Sequence, residues 1–169
     1  MRSGPIVITG FMGCGKSKVA RELARKRNVA MVDLDEWITV RVGRSPAQLI
    51  TEDGEPAFRE IESNALRDLL QAGEAGVIAL GGGAWIEKTN RDLIDEYDCT
   101  SIWLDTPFAI CWERIAASEE DRPLGRTRDE AEARYDRRKP IYSLAQIHIS
   151  VDDDLISTIE ERLTTDYTD

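Results

Sequence analysis

The sequence predicts a three-layer α/β/α fold on an open, five-stranded parallel sheet, and two features carry that prediction. Short apolar runs of strand length alternate with longer stretches whose apolar residues recur at helical spacing. Between the first run and the first helical stretch, Gly10, Phe11, Met12, Gly13, Cys14, Gly15, Lys16 and Ser17 form a complete glycine-rich phosphate-binding loop. Right-handed crossovers between parallel strands then place helices on both faces of the sheet.

The first strand is read over residues 5–9. Residues 16–27 follow as a helix with Val19, Ala20, Leu23 and Ala24 on one face. A second strand is expected over 29–32 and a helix over 35–42, ending at the break Gly43-Arg44-Ser45, where Ser45 caps a helix that opens with Pro46. A longer helix spans 55–70. The runs 77–80 and 101–104 are short and of the buried type found in parallel sheets, and helices are expected over 90–96 and 107–117. Residues 118–128 are polar and charged and contain Pro123 and Gly125, which predicts a mobile loop. A helical segment around 130–138, a fifth strand over 147–151 and a helix over 153–163 complete the order. The run Asp152-Asp153-Asp154 reads as a solvated turn capping that last helix.

A chain of 169 residues without repeats or linkers fits one domain, residues 1–169. It is 41% hydrophobic and 32% charged, with no apolar stretch of membrane-spanning length and no secretory leader, so a cytoplasmic location and no membrane partner are expected. A net charge of -10 argues against a nucleic-acid surface, so any bound phosphate must be met locally. Cys14, Cys99 and Cys111 are odd in number and lack metal-ligand spacing, which predicts reduced thiols. His148, alone in a strand pattern, and Trp37, Trp103 and Trp112 read as structural, while Trp85 stands close enough to the glycines to border a pocket.

Three segments with chemistry to offer each follow directly after a strand: the phosphate loop, Asp33-Leu34-Asp35, and Gly81-Gly82-Gly83. Ligands in open α/β sheets collect at the carboxyl ends of strands, so the three should converge on one cleft. In the loop, glycines let successive N–H groups face one phosphate chain and the following helix presents its positive end to it. Lys16 would bridge the outer phosphates and Ser17 would ligate magnesium. Asp33 and Asp35, one residue apart at a strand end, should point to the same side; one suits a cation and the other an alcohol acceptor.

Beyond these, Phe58-Arg59-Glu60 lies on a helix, Arg122-Pro123-Leu124 in the polar loop, and Arg138-Lys139-Pro140-Ile141-Tyr142 at a helix end. With Gly43-Arg44-Ser45 and Asp53-Gly54-Glu55, the series resembles shikimate kinase, a P-loop kinase family, in order and spacing from Ile6 to about Leu163. The resemblance implies transfer of the γ-phosphoryl group of ATP to the 3-hydroxyl of shikimate, a step of aromatic amino-acid biosynthesis, with Mg2+ as cofactor and ATP/ADP and shikimate as ligands of a monomer. It implies that Arg59 and Arg138 hold the acceptor's carboxylate, that Asp35 grips ring hydroxyls and orients the attacking oxygen, and that Gly82 and its neighbours Gly81 and Gly83 approach the acceptor by backbone. Asp33 would hold magnesium through water, Arg122 would reach the ATP phosphates from a lid over about 118–128, and Arg114 would pack on adenine. The segment from about 35 to 62 would form the helical acceptor-binding part.

The chain departs from the family at Lys18, where threonine is common, and at Leu144, where an acid is frequent. Neither position is expected to touch substrate. The lid lacks a usual second leucine and is unusually acidic at Glu119-Glu120-Asp121. Two rival readings keep the fold: a kinase of another small hydroxy acid or cyclic polyol, since the phosphate loop is silent about the acceptor, and a catalytically silent binding relative. A nucleoside monophosphate kinase would want a base-recognition surface, for which the sequence carries no signature.

Overall fold

A computed structural model of the chain describes residues 4–120, 123, 124, 126–151 and 154–165. Five parallel strands, β1 (Ile6–Thr9), β2 (Met31–Asp33), β3 (Val77–Ala79), β4 (Thr100–Asp105) and β5 (Ile147–Ser150), form one sheet in the order β2-β3-β1-β4-β5. The helices are α1 (Lys16–Arg27), α2 (Leu34–Val42), α3 (Pro46–Asp53), α4 (Glu55–Ala72), α5 (Lys88–Glu96), α6 (Phe108–Ala117), α7 (Arg128–Tyr142) and α8 (Leu155–Thr165), with a 3₁₀ turn at Ala84–Ile86. The expected three-layer α/β/α architecture is therefore the observed one.

The central strands are buried on both faces, so β1 consists of fully or nearly fully buried Ile6, Val7, Ile8 and Thr9. Helix α1 buries Val19, Ala20, Leu23 and Ala24, the stripe that its apolar spacing requires. It ends where Asn28 turns left-handed at φ 54° and its N–H returns to the carbonyls of Ala24 and Arg25. Ser45 and Gln48 close a reciprocal capping box at the start of α3, and Thr127 and Glu130 do the same for α7.

Two boundaries differ from the sequence reading in ways that matter for the site. Strand β2 stops at Asp33, whose side chain caps α2 by accepting from the N–H groups of Asp35 and Glu36. Asp35 thus stands in the first turn of a helix, and strand alternation does not decide where it points. Helix α7 runs past Arg138 and through Pro140 to Tyr142. Of the predicted acidic cap, Asp152 and Asp153 lie outside the described residues; Asp154 receives the N–H of Thr158 through its carbonyl.

Leu23 is fully buried between α1 and the sheet. Leu23→Ala is expected to cost about 2–5 kcal/mol of stability, read as a fall in Tm of roughly 5–15 °C for a chain of this size. A change under about 2 °C would mean that α1 is not packed as described.

Candidate active site

The phosphate loop leaves β1 at Gly10 and is shaped by three glycines with positive φ, 148° at Gly10, 76° at Gly13 and 100° at Gly15. A Cβ on Gly13 would stand 2.7 Å from the Cys111 carbonyl, and one on Gly10 2.7 Å from the Cys14 sulfur, so the loop is packed as well as turned. Phe11 is buried against Tyr135, with ring centroids 5.2 Å apart, and Cys14 is buried beneath the loop. Both residues can therefore meet a nucleotide through their backbone only. Lys16 folds back on its own loop, donating to the carbonyls of Gly10 at 2.8 Å and Phe11 at 2.9 Å. Arg114 donates to the Gly13 carbonyl at 3.1 Å, which places its guanidinium on the outer side of the loop.

A cleft of about 950 Å³ opens in front of this loop. Met12, Lys16, Ser17, Asp33, Asp35, Gly81 and Gly82 line it, together with α3 and Glu120. Lys18 lines it too, whereas Leu144 is 62% exposed away from it. The Ser17 hydroxyl donates to Asp33 Oδ2 at 2.5 Å, while Asp33 Oδ1 is occupied by the cap of α2. This pair supplies two hard oxygen donors on the cleft wall. Among the described residues no group of three or more acidic, histidine or cysteine side chains could hold a metal ion. The protein thus offers part of a coordination shell, which suits Mg2+, an ion that keeps waters and takes the rest from phosphates.

A second, smaller space of about 130 Å³ continues from the cleft. Met12, Asp35, Gly81 and Gly82 belong to both, and Arg59, Glu62, Phe58, Gly83, Leu124 and Arg138 complete the smaller one. Here the glycines are required by contact. A side chain on Gly83 would collide with the Arg59 guanidinium, and one on Gly81 would stand 2.7 Å from Asp35 Oδ1. The amide N–H groups of Gly82 and Gly83 have no partner among the described residues.

Electrostatics sharpen the picture. Asp35 Oδ1 is buried without a hydrogen-bond partner among the described residues, and burial, with Asp33 adding to it, raises the Asp35 pKa from 3.8 to about 6 against the pull of Lys16 and Arg59. Glu62 is fully buried, one turn from Arg59, and pairs with its guanidinium at 2.7 Å. Burial still raises Glu62 to about 7, because Arg59 offsets only part of the desolvation and Asp35 adds repulsion. Burial acts to lower the Arg59 pKa, yet Glu62 and Glu55 outweigh it and leave the guanidinium more firmly charged than usual. Each carboxyl has one oxygen, Asp35 Oδ1 and Glu62 Oε2, turned toward no protein donor among the described residues.

The structure thus brings together Lys16, Ser17, Asp33, Asp35, Arg59, Gly81, Gly82, Gly83 and Arg138, as the sequence predicts. Arg122 lies outside the described residues, although Glu120 and Leu124 on either side of it reach the two spaces. Trp85, expected at the pocket border, is instead buried and donates to the Ile141 carbonyl at 2.9 Å. Glu62 and Glu55, which hold Arg59, escape the sequence reading. Their spacing of i+3 and i-4 from Arg59 is the one signal that could have found them.

A nest of glycine N–H groups at a helix start, a lysine, a hydroxyl–carboxylate pair and a neighbouring acceptor pocket define an ATP-dependent phosphotransferase of the P-loop class. The shikimate kinase family model matches residues 12–167. A shikimate kinase of Streptococcus thermophilus is 37% identical over 150 residues, 86% of this chain and 90% of that protein; one of Cereibacter sphaeroides is 38% identical over 147 residues, 85% and 72%. The structure of shikimate kinase from Acinetobacter baumannii in complex with shikimate superposes with a TM-score of 0.89 at 26% identity, over 99% of this chain and 97% of that one. The chain belongs to the shikimate kinase family.

Because Asp35 holds its proton more tightly folded than unfolded, its contribution to stability is full below about pH 4 and is lost as pH rises through 6. Asp35→Asn removes that loss. It is expected to raise Tm at pH 8 by several degrees, on the order of 1–3 kcal/mol, with the gain shrinking toward pH 4. Thermal unfolding of both proteins across this range checks it; a gain that does not vary with pH would contradict the assigned burial.

Proposed function

We propose that this chain transfers the γ-phosphoryl group of ATP to the 3-hydroxyl of shikimate, giving shikimate 3-phosphate and ADP. The observation that carries the reading is the buried oxygen of Asp35, without a partner among the described residues, which stands where the phosphate cleft passes into the pocket bracketed by Arg59 and Arg138. A carboxylate at that junction is suited to accept a hydrogen bond from an alcohol whose own acid group is held by the guanidiniums beyond it.

The mechanism follows from the charges. ATP's phosphate tail enters a cleft where Lys16, now bonded to loop carbonyls, exchanges these partners for phosphate oxygens, and the loop amides meet the rest of the tail. Mg2+, held by Ser17 and Asp33, would supply charge neutralisation for the triphosphate. Arg59 and Arg138 present planar forks to the acceptor's carboxylate, a task lysine performs poorly. Gly82 and Gly83 offer backbone amides at close range, and Asp35 orients the hydroxyl and takes up its proton. Arg122, delivered by the segment 118–128 acting as a lid, adds a cation to the moving phosphoryl group and helps exclude water. Arg114, held against the loop by the Gly13 carbonyl, would pack on the nucleotide's base.

The working unit is read as a monomer. No helix among the described residues is long and apolar enough to cross a membrane, and Cys14, Cys99 and Cys111 are free thiols, which together support a cytoplasmic enzyme.

An ADP-release assay offering shikimate, gluconate and AMP tests the acceptor: turnover with shikimate alone is expected, and turnover confined to either other compound would overturn the proposal. Arg59→Ala and Arg138→Ala should each raise the KM for shikimate roughly 10-fold or more through loss of charge-assisted bonds, leaving the KM for ATP nearly unchanged. Lys16→Ala and Arg122→Ala should instead lower kcat, by roughly 100-fold or more. Intact turnover in Arg122→Ala would remove the lid arginine from the mechanism. Since Asp35 acts as acceptor only when ionised, kcat/KM for shikimate should rise with pH through about 6. A flat profile between pH 5 and 7 would dismiss that role.

A further inference from the structure

Arg138 and the glycine triplet come from distant parts of the chain, yet the acceptor pocket needs them at fixed separation. Gly82 is wedged between Arg138 and the phosphate loop: a Cβ on it would lie 3.3 Å from the Met12 nitrogen and 3.8 Å from Arg138 Nη1. What holds the glycines there is a pair of side-chain bonds running in opposite directions. The buried Tyr142 hydroxyl on α7 donates to the Gly82 carbonyl, and the Trp85 indole, three residues past Gly82, donates to the Ile141 carbonyl on α7 at 2.9 Å. Tyr142 is 1% exposed and stacks on Trp103, with ring planes 22° apart, so its ring is held in place.

We infer that Tyr142 is a positioning residue of the acceptor site, tying the glycine triplet to the last turn of α7 so that Gly82 and Arg138 meet the acceptor as one rigid unit. The inference rests on the acceptor reading above and names the residue that keeps its two halves in register.

Three physical arguments support it. Tyr142 follows Arg138 by four residues, so both side chains leave the same face of α7 one turn apart. Between them sits Pro140, which has no N–H and removes one rung of the helical ladder in the last turn. The turn that carries Arg138 is therefore held from outside, and Tyr142 and Trp85 supply the hold. Finally, the peptide plane makes the Gly83 N–H antiparallel to the Gly82 carbonyl. Fixing that carbonyl on Tyr142 therefore also fixes the direction of the Gly83 amide, on a residue whose Cα lies against the Arg59 guanidinium. Burial raises the phenol's pKa, with Arg138 acting the other way, so the hydroxyl remains a donor across the working pH range.

Tyr142→Phe deletes one oxygen and keeps the ring. In the ADP-release assay it should raise the KM for shikimate about fivefold to tenfold, the loss of one buried hydrogen bond, while kcat stays within about twofold and the KM for ATP is unchanged. Ile159→Val, a truncation in the core of α8 far from the pocket, should lower Tm without moving the shikimate KM. Should Tyr142→Phe fail to fold, Trp85→Phe carries the same test with the same expected direction. An unchanged shikimate KM, or a parallel loss of kcat and ATP affinity, overturns the positioning role. Wild-type protein that turns over no shikimate overturns the acceptor reading, and this inference with it; wild-type turnover with an unaffected Tyr142→Phe removes the inference alone.

Discussion

The site depends on one rung of main-chain pairing. The Leu80 N–H donates to the Ile8 carbonyl at 3.0 Å, extending the β1–β3 ladder to the carboxyl ends of both strands. Immediately beyond it, one chain becomes the phosphate loop and the other the glycine triplet. Two segments about seventy residues apart in sequence thus leave the sheet side by side, and β2, paired on the far side of β3, adds Asp33 and Asp35 to the same edge. Parallel pairing makes this convergence obligatory, because all three strands release their chains in the same direction. A different strand order would scatter the same residues around the rim.

Within that frame the chemistry is an exercise in keeping charges unsatisfied but not unbalanced. Lys16 rests on loop carbonyls that it can exchange for phosphate. Asp35 and Glu62 are buried carboxyls with one oxygen each that finds no donor among the described residues, tolerated because Lys16, Arg59 and Arg138 stand near enough to offset part of their desolvation. Such groups cost stability, which is the usual trade at a site built for chemistry rather than for structure. Arg59 is the pivot: Glu62 and Glu55 hold its Nη1 and Nη2 groups, and its guanidinium lies against Gly83 on the wall of the smaller pocket.

Much of this was legible in the sequence. The bounds of α1 match its apolar stripe, the Ser45-Pro46 cap starts α3 as expected, and the phosphate loop and glycine triplet fall where strand-end logic puts them. The misreadings have local causes. Asp33 looks like a strand residue followed by a second one, but its carboxylate caps α2 and ends the strand. Helix α7 appears to stop near Arg138 because proline normally ends helices; in the last turn the lost rung is few enough bonds for Tyr142 and Trp85 to hold the turn from outside. Glu62 is invisible because a glutamate on an amphipathic helix reads as solvated, and only the fold reveals that its face of α4 is turned inward. The tryptophan next to the glycines reads as pocket wall when it is a strut.

The central claim is that a nucleotide's phosphates and a hydroxylated ring acid occupy adjoining spaces in one cleft. Calorimetric titration of shikimate into the protein saturated with MgADP tests it most directly. The account predicts one site per chain, with binding abolished when Arg59 and Arg138 are both replaced by alanine and MgADP binding retained. Shikimate binding that survives the double replacement, or that is absent from wild-type protein still able to bind MgADP, would contradict it.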